Sequence, residues 1–276
     1  MKVLRAKSAG FCWGVERAIE IARDYAHHGR HPVYTDGPLI HNRQMMDQLK
    51  ADGIQETNDP SSLSSGILIV RAHGIPPDRR AWLDTLPLTI VDATCPDVAK
   101  IQNLIRDHAR RGFHIVIFGD PGHAEVTGLM GYAEGRGHVV SRVEDVANLP
   151  PVGPVCLVSQ STQLPIAYRR MVEAVRARFP DTVVLDTICR STENRQRELI
   201  DMAEWVDALV VVGGRHSANT LRLVELAGSL KPTFHIETYG QLSPEKLQGF
   251  KTIGLTAGAS TPAFIIEDVK QNIERL

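Results

Sequence analysis

The stretch Thr89-Ile-Val-Asp-Ala-Thr-Cys95-Pro-Asp-Val-Ala-Lys100 predicts a short strand that runs directly into a helix. Its β-branched residues are typical of a strand, Pro96 suits the first position of a helix, and Val98 and Ile101 begin an apolar helical face. Cys95 is therefore predicted at a junction where unpaired backbone N–H groups and the helix dipole favour a thiolate. A thiolate is the form of cysteine that binds metal or acts as a nucleophile.

Two other cysteines have the same sequence context. Cys12, in Gly10-Phe-Cys12-Trp-Gly14, and Cys189, in Asp186-Thr-Ile-Cys189-Arg-Ser191, each precede a segment whose apolar residues recur at helical spacing. The interval from Cys12 to Cys95 is similar to that from Cys95 to Cys189, and to the interval that closes the circle through the chain ends. A repeat of this length corresponds to one domain per unit. We therefore predict three similar units that bring their thiolates together on a pseudo-threefold axis.

Each predicted unit alternates strands with helices, which indicates an α/β fold with parallel sheets and right-handed crossovers. The predicted units are residues 12–95, residues 96–188, and residues 189–276 together with residues 1–11. The strand at Lys2–Ala6 is assigned to the third unit because no helix precedes it. Continuous apolar runs such as Ile115–Phe118 fit strands of a sheet that is covered on both faces.

The composition argues against several classes of protein. The 276 residues carry a formal net charge of -1 and a pI near 6.8, so nothing indicates binding to nucleic acid or to an anionic membrane. No apolar run approaches the length of a membrane span, and the basic start Met1–Arg5 is not followed by the apolar core of a signal peptide. Four cysteines without an export signal indicate reduced thiols in the cytoplasm, where metal binding or catalysis is more common than disulfides.

Polar loops are predicted after the strands, at the sheet edge where ligands bind in open α/β folds. They carry imidazoles, a carboxylate, hydroxyls and an amide on glycine-rich backbone: His41, His73, His123, Glu125, Ser159, Ser161, Thr162, Ser217, Asn219 and Ser260. Hydroxyls, imidazoles and loop N–H groups are suited to a phosphate or diphosphate. Most of these loops contain no arginine or lysine, which indicates neutral or imidazolium donors rather than salt bridges.

Three convergent thiolates can hold zinc or an iron–sulfur cluster. Structural zinc usually takes its cysteines as close pairs, and the sequence has no such pair. One cysteine from each of three units suits a cluster of four irons, in which one iron lacks a protein ligand. That iron can act as a Lewis acid and deliver electrons, while a nearby carboxylate or histidine delivers protons. The fourth cysteine, Cys156, lies in an apolar run and is interpreted as a core residue.

Motifs along the whole chain resemble those of the 4-hydroxy-3-methylbut-2-enyl diphosphate reductase family. They are Gly10-Phe-Cys12-x-Gly-Val15, Ile40-His41-Asn42, Arg71-Ala-His73-Gly74, Asp92-Ala-Thr-Cys95-Pro96, Gly122-His123-x-Glu125-Val126, Asp186-Thr-Ile-Cys189 and Thr256-Ala-Gly-Ala-Ser260. The resemblance implies a trefoil of three α/β domains around a 4Fe-4S cluster. It also implies reduction of an allylic alcohol diphosphate to isopentenyl and dimethylallyl diphosphates, the last step of the methylerythritol phosphate route.

The same resemblance implies a role for each loop. Cys12, Cys95 and Cys189 would be the cluster ligands, and Glu125 would be the proton donor, with His123, Ser161 and Thr162 completing the catalytic set. The diphosphate would be bound by His41, His73, His123, Ser161, Thr162, Ser217, Asn219 and Ser260. A donor such as flavodoxin or ferredoxin would supply the electrons.

Three loops depart from the family pattern. His123-Ala-Glu125 stands in place of His-Pro-Glu, Ser159-Gln-Ser-Thr162 in place of Thr-Gln-Thr-Thr, and His216-Ser-Ala-Asn219 in place of Asn-Ser-Ser-Asn. One alternative is therefore a paralog, a cluster-dependent reductase or hydro-lyase that acts on a different allylic or diphosphate substrate. Another is a non-enzymatic module that binds metal or diphosphate.

Arg195 and Arg197 lie on the helix predicted after Cys189 and are interpreted as part of the solvated face of that helix.

Overall fold

The computed structural model describes residues 1–29 and 31–276, and within them the chain forms twelve strands and nine α-helices. The strands are β1 (Lys2–Arg5), β2 (Val33–Asp36), β3 (Ile54–Thr57), β4 (Ile67–Val70), β5 (Thr89–Asp92), β6 (His114–Phe118), β7 (Gly137–Val140), β8 (Val155–Ser159), β9 (Val183–Val184), β10 (Ala208–Val212), β11 (Thr233–Ile236) and β12 (Thr252–Ala257). The helices are α1 (Trp13–His28), α2 (Arg43–Ala51), α3 (Pro77–Leu83), α4 (Pro96–Arg110), α5 (Ala124–Gly131), α6 (Pro165–Arg178), α7 (Arg190–Ala203), α8 (Ala218–Leu230) and α9 (Ala263–Glu274).

The strands form three parallel sheets that share one topology. Their orders are β3-β2-β4-β5, β7-β6-β8-β9 and β11-β10-β12-β1. The central strands are β2 and β4 in the first sheet, β6 and β8 in the second, and β10 and β12 in the third, and the other two strands of each sheet lie at its edges. The N-terminal strand β1 is the fourth strand beside β12, with Val3 opposite Ile253. This pairing confirms that the N-terminal strand belongs with the last group of strands.

The chain packs as two compact units. The first unit contains Met1–Glu16, Ile40–Gln48 and Arg190–Leu276, and it holds the sheet of β1, β10, β11 and β12. The second unit contains Arg17–Leu39 and Leu49–Cys189, and it holds the other two sheets. Each of the three predicted units encloses the strands of one sheet, while the exact three-unit boundaries remain a prediction.

The sheet of β6 to β9 shows how the apolar runs are buried. Val116 and Phe118 join a hydrophobic cluster on one face that includes Met171 of α6. Ile115 and Ile117 join a second cluster on the opposite face, together with residues of α4 and α5. Helices therefore cover both faces of this sheet, as the uninterrupted apolar sequence of β6 predicted.

Two features differ from the sequence-based predictions. The edge strand β3, Ile54-Gln-Glu-Thr57, was missed because only Ile54 of its residues is buried. The interpretation of Arg195 as part of a solvated helix face is wrong, since its side chain is buried and its guanidinium donates a hydrogen bond to the backbone oxygen of Ser8. Arg197 is exposed, as expected.

Candidate active site

The predicted site residues follow the two central strands of each sheet, at the carboxyl ends of those strands. His41 follows β2, His73 follows β4, His123 and Glu125 follow β6, Ser161 and Thr162 follow β8, Ser217 and Asn219 follow β10, and Ser260 follows β12. The chain leaves the two central strands in opposite directions, so this edge is the topological switch point where α/β sheets bind ligands. The residues that the sequence predicted for ligand binding thus lie at this edge of the sheets, and their binding role remains a prediction.

The three predicted ligand cysteines share one backbone hydrogen bond. They follow the edge strands β1, β5 and β9, and each donates its N–H to the loop after the neighbouring strand. The pairs are Cys12 N to Ala259 O (3.0 Å), Cys95 N to Ala72 O (2.9 Å) and Cys189 N to Ser161 O (2.9 Å). Each acceptor lies two residues beyond the end of its strand. The same local geometry therefore positions all three cysteines.

Each of these cysteines immediately precedes a helix, as predicted: α1 begins at Trp13, α4 at Pro96 and α7 at Arg190. Cys95 is the N-cap residue of α4, but its side chain does not cap the helix. In the second unit, Cys189 Sγ donates to Asp97 Oδ2 at 3.3 Å, and Asp97 lies only two residues after Cys95. Three half-buried thiols at helix starts are soft sulfur donors, so these residues fit an iron–sulfur cluster.

Cys156 has a different environment from the other three cysteines. It is fully buried in β8, within the cluster that includes Ile115 and Val158. Burial raises the pKa of its thiol to about 12. Its side chain packs among apolar residues and its thiol stays protonated at neutral pH, so the interpretation of Cys156 as a core residue is confirmed.

Glu125 is a buried carboxyl group at the start of α5. Its Oε1 accepts a hydrogen bond from Ser161 N and its Oε2 accepts one from Ser161 Oγ, both at 2.7 Å. Burial raises the pKa of Glu125, the two hydrogen bonds from Ser161 oppose that rise, and the charge of Asp120 adds to it. A carboxyl group with a raised pKa keeps its proton at a higher pH, which suits a general acid.

His123 and His73 lie beside this carboxyl group's helix. His123 is the N-cap residue of α5, and its Nδ1 accepts a hydrogen bond from Glu125 N at 3.1 Å. In the neutral imidazole the proton is then on Nε2, which is left as the donor. The His73 ring contacts the His123 ring edge-on, with centroids 5.7 Å apart. The structure thus brings these two predicted diphosphate ligands together in the second unit.

Ser161 and Thr162, the two hydroxyl groups predicted to act with Glu125, have different partners. Ser161 Oγ contacts the carboxylate, whereas Thr162 Oγ1 accepts a hydrogen bond from Gln160 Nε2 at 3.0 Å. The side-chain oxygen of Gln160 in turn accepts from Asp120 N at 2.9 Å. Gln160 therefore orders the loop after β6 and the loop after β8 at the same time.

In the compact unit that contains Arg190–Leu276, Ser217 and Asn219 form the start of α8. Ser217 is the N-cap residue, and its hydroxyl accepts from Thr220 N at 3.4 Å. The Asn219 side chain is buried, and its Nδ2 has no hydrogen-bond partner within residues 1–29 and 31–276. A buried donor without an acceptor is costly, and the start of a helix attracts anions. Both properties fit a phosphate group at this position.

Ser260 and His41 also meet in the first unit, where Ser260 Oγ donates to the backbone oxygen of His41 at 3.2 Å. A Cβ on Gly214 would lie 2.9 Å from that same oxygen, and a Cβ on Gly258 would lie 2.0 Å from Thr220 Oγ1. The loops after β10 and β12 are therefore packed too closely for side chains at these glycines. This close approach keeps Ser217, Ser260 and the His41 backbone near one another.

Sequence reasoning missed Asp97, Gln160 and Thr220 as parts of the site. Asp97 stands two residues after a predicted ligand, and Gln160 lies inside a quoted motif, so their positions were visible in the sequence. Their contacts were not visible, because Asp97 meets Cys189 and Gln160 meets Asp120 across long sequence separations.

Among the helices in the described ranges, none has the length and apolar character that crossing a membrane requires.

Comparisons with known proteins agree on one family. The family model described as "LytB protein" matches residues 3–274. A 4-hydroxy-3-methylbut-2-enyl diphosphate reductase from Opitutus terrae is 51% identical, with 100% of both chains covered. The reductase of the same name from Alkaliphilus oremlandii is 39% identical, again with 100% of both chains covered.

Two solved structures are also similar over the full chain. One is the E-1-hydroxy-2-methyl-but-2-enyl-4-diphosphate reductase of Plasmodium falciparum, with a TM-score of 0.93, 29% identity, and coverage of 100% of this chain and 87% of that one. The other is an (E)-4-hydroxy-3-methyl-but-2-enyl diphosphate reductase, described as the terminal enzyme of the non-mevalonate pathway. It has a TM-score of 0.73 and 37% identity, with 100% of both chains covered.

Proposed function

Because this chain belongs to the LytB family, we infer that it is a 4-hydroxy-3-methylbut-2-enyl diphosphate reductase. It removes the hydroxyl group of (E)-4-hydroxy-3-methylbut-2-enyl diphosphate and yields isopentenyl and dimethylallyl diphosphate, in the terminal step of non-mevalonate isoprenoid biosynthesis. The observation that carries this conclusion is 51% identity to a reductase of that name over the full length of both chains.

We propose that Cys12, Cys95 and Cys189 hold a 4Fe-4S cluster with one iron that has no protein ligand. The backbone hydrogen bond repeated at each cysteine and the position of each thiol at a helix start support this assignment. When bound, such a cluster supplies a Lewis acid and reducing electrons. Cys156 is left out of the proposed ligand set because it is completely buried in β8.

Glu125 supplies the first of the two protons that the reaction needs, the one that leaves with the hydroxyl oxygen as water; the second is taken up by the carbon chain. Replacement of an allylic hydroxyl group by hydrogen consumes two electrons and two protons and releases water, because hydroxide itself is a poor leaving group. The protonated Glu125 carboxyl can donate to Ser161 Oγ, whose own hydroxyl proton passes to the departing oxygen; the 2.7 Å contact between them supports this relay. Thr162 and Gln160 hold the loop that carries Ser161.

The diphosphate is held by imidazoles, hydroxyls and one amide rather than by a lysine or arginine clamp. The proposed ligands are His41, His73, His123, Ser161, Thr162, Ser217, Asn219 and Ser260. The buried Nδ2 of Asn219 and the start of α8 support a phosphate position in the first unit.

The electron donor is a flavodoxin or a ferredoxin, and the enzyme acts in the cytoplasm, where thiolate ligands stay reduced.

Anaerobic purification followed by iron and sulfide analysis tests the cluster separately from the activity. We expect about four irons and four sulfides per chain, and turnover of the allylic diphosphate with a low-potential reductant. A loaded protein that does not convert this substrate would refute the assigned reaction. A colourless preparation without iron or sulfide, after anaerobic reconstitution, would refute the cluster.

A further inference from the structure

The loop that leads from β1 to Cys12 is the longest of the three loops that carry the predicted ligands. Cys12 lies seven residues beyond the end of β1, whereas Cys95 lies three beyond β5 and Cys189 lies five beyond β9. A longer loop has more conformations to lose when its last residue is fixed. The position of the Cys12 thiol therefore depends on contacts that restrain residues 6–11.

Glu198 of α7 provides several of these contacts. Its Oε1 accepts a hydrogen bond from Lys7 N at 2.6 Å, and its Oε2 accepts one from Ser8 N at 2.9 Å and another from Ser8 Oγ. Burial alone would raise the pKa of Glu198, but these hydrogen bonds outweigh it and lower the pKa. The carboxylate is thus charged and fully occupied by this loop at neutral pH.

Arg195 restrains the same loop from the preceding turn of α7. It is 3% exposed, and its guanidinium donates to the backbone oxygen of Ser8. Glu198 and Arg195 together therefore bind both the N–H and the C=O of Ser8. Charged groups form stronger hydrogen bonds than neutral ones, so this pair is suited to fixing backbone.

Two further features continue the restraint toward Cys12. Ala6 and Ala9 are buried in the same hydrophobic core as Leu199 of α7. Gly10 then has a φ of +133, a backbone conformation that favours glycine, and Cys12 N bonds to Ala259 O. Since Cys189 directly precedes α7, the helix that restrains the Cys12 loop is also joined to a second predicted ligand.

We infer that Glu198 and Arg195 are positioning residues for Cys12: they hold residues 7–8 on α7 and thereby fix the Cys12 thiolate where the metal centre forms. This role rests on the proposed cluster, because it assigns the contacts a purpose in ligand placement. Neither residue touches the reacting atoms, so both act through the loop alone.

Hydrogen exchange on the metal-free protein tests the restraint itself. In Glu198→Ala we expect the amides of Lys7 and Ser8 to exchange about tenfold or more faster than in the wild type, because both lose their acceptor. Glu198→Gln keeps one carbonyl acceptor and should give an intermediate rate. Asp201→Asn, an exposed change on the same helix, is the matched control and should leave these amides unchanged. Wild-type exchange in Glu198→Ala would overturn the inference.

Iron release tests the consequence for the metal centre. After anaerobic reconstitution, we expect a chelator to remove iron several-fold faster from Glu198→Ala than from the wild type or Asp201→Asn, with Glu198→Gln between them. If the loop loosens in Glu198→Ala but iron leaves at the wild-type rate, Glu198 does not position Cys12. If the wild type itself takes up no iron, the proposed cluster is refuted. That outcome is distinct from failure of the loop restraint, because hydrogen exchange on the metal-free protein tests the restraint without iron.

Discussion

At the scale of single residues, Glu125 shows opposite effects of burial and hydrogen bonding on one carboxyl group. Burial favours the protonated form, while the two hydrogen bonds from Ser161 favour the carboxylate. Because the net shift of its pKa is upward, the group keeps its proton to a higher pH, which the proposed role as a general acid requires. In the proposed mechanism, the neighbouring Ser161 hydroxyl relays that proton.

Glu125→Gln should lower turnover by roughly 10²-fold or more, the usual scale for loss of a general acid. The amide keeps the shape of the carboxyl group but has no acidic proton, so iron content and diphosphate affinity should stay near the wild-type values. Steady-state kinetics with iron analysis measures both. Glu144→Gln, an exposed carboxyl in the same unit, is the control. Turnover like that of the wild type in a fully loaded Glu125→Gln protein would remove Glu125 from the mechanism.

The stability of the metal-free protein should report the raised pKa of Glu125. A carboxyl group whose folded-state pKa lies above its unfolded value of 4.5 contributes stability below that value and loses it as the pH rises through the folded-state pKa. Glutamine does not titrate. The free energy of unfolding of Glu125→Gln, relative to the wild type, should therefore increase as the pH rises from about 4 to about 8. Urea denaturation across this range measures it, and a difference that is constant with pH would contradict the raised pKa.

The roles assigned to the candidate site residues from the sequence remain predictions, and the sequence could not show which of these residues contact one another. Glu125 was assigned as the proton donor from its motif, and the structure supplies the reason it suits that role, a contact with Ser161 36 residues away. Asn219 was predicted as a phosphate ligand, but only the fold shows that its Nδ2 is buried without an acceptor in the described chain. Such facts depend on how loops from different strands approach each other.

At the scale of elements, the strands with continuous apolar sequence were predicted well, because burial on both faces requires that sequence. β3 escaped detection because an edge strand needs few apolar residues. Arg195 was misassigned for a related reason. A charged residue in a helix is usually interpreted as solvent-exposed. The loop that buries Arg195 lies 187 residues earlier in the chain.

The close approach between the loop after β12 and helix α8 gives a test at this scale. Gly258→Ala would place a methyl group 2.0 Å from Thr220 Oγ1, which is fully buried. We expect a loss of about 1–3 kcal/mol in the free energy of unfolding and weaker diphosphate binding, because α8 must shift at its Ser217 end. Chemical denaturation and a diphosphate titration measure the two effects.

Two further variants control this prediction. Gly240→Ala introduces the same methyl group where no atom lies within 4 Å, so it should have little effect. Thr220→Ala removes the clashing hydroxyl and should recover part of the loss when combined with Gly258→Ala. Strictly additive effects in the double variant would show that the contact with Thr220 is not the cause.

At the scale of the whole molecule, the same four-strand topology occurs three times within residues 1–29 and 31–276, and one cysteine follows the fourth strand each time. The alternation of elements and the even cysteine spacing allowed this repetition to be predicted before any coordinates. The meeting of the three thiolates at one metal centre remains a prediction.

Serine substitutions test whether the three thiolates bind one metal centre. We expect Cys12→Ser, Cys95→Ser and Cys189→Ser each to lose the visible absorption and most of the iron after anaerobic reconstitution, because each removes one of three thiolate ligands. Cys156→Ala should keep both, since this thiol is buried in β8. Iron content and the absorption spectrum are the measurements. Cluster loss in the Cys156 variant alone would refute the ligand assignment.

The pairing of β1 with β12 also sets an order of events during synthesis. Lys2–Arg5 leave the ribosome long before their partner Thr252–Ala257 has been synthesised. At about 5–20 residues per second, the N-terminal strand waits on the order of 10–50 s for its neighbour. The other two sheets can form during this wait, because all their strands are already translated. Cys12 is therefore the last of the three cysteines to be placed, and the proposed cluster would be completed only after β12 has been synthesised.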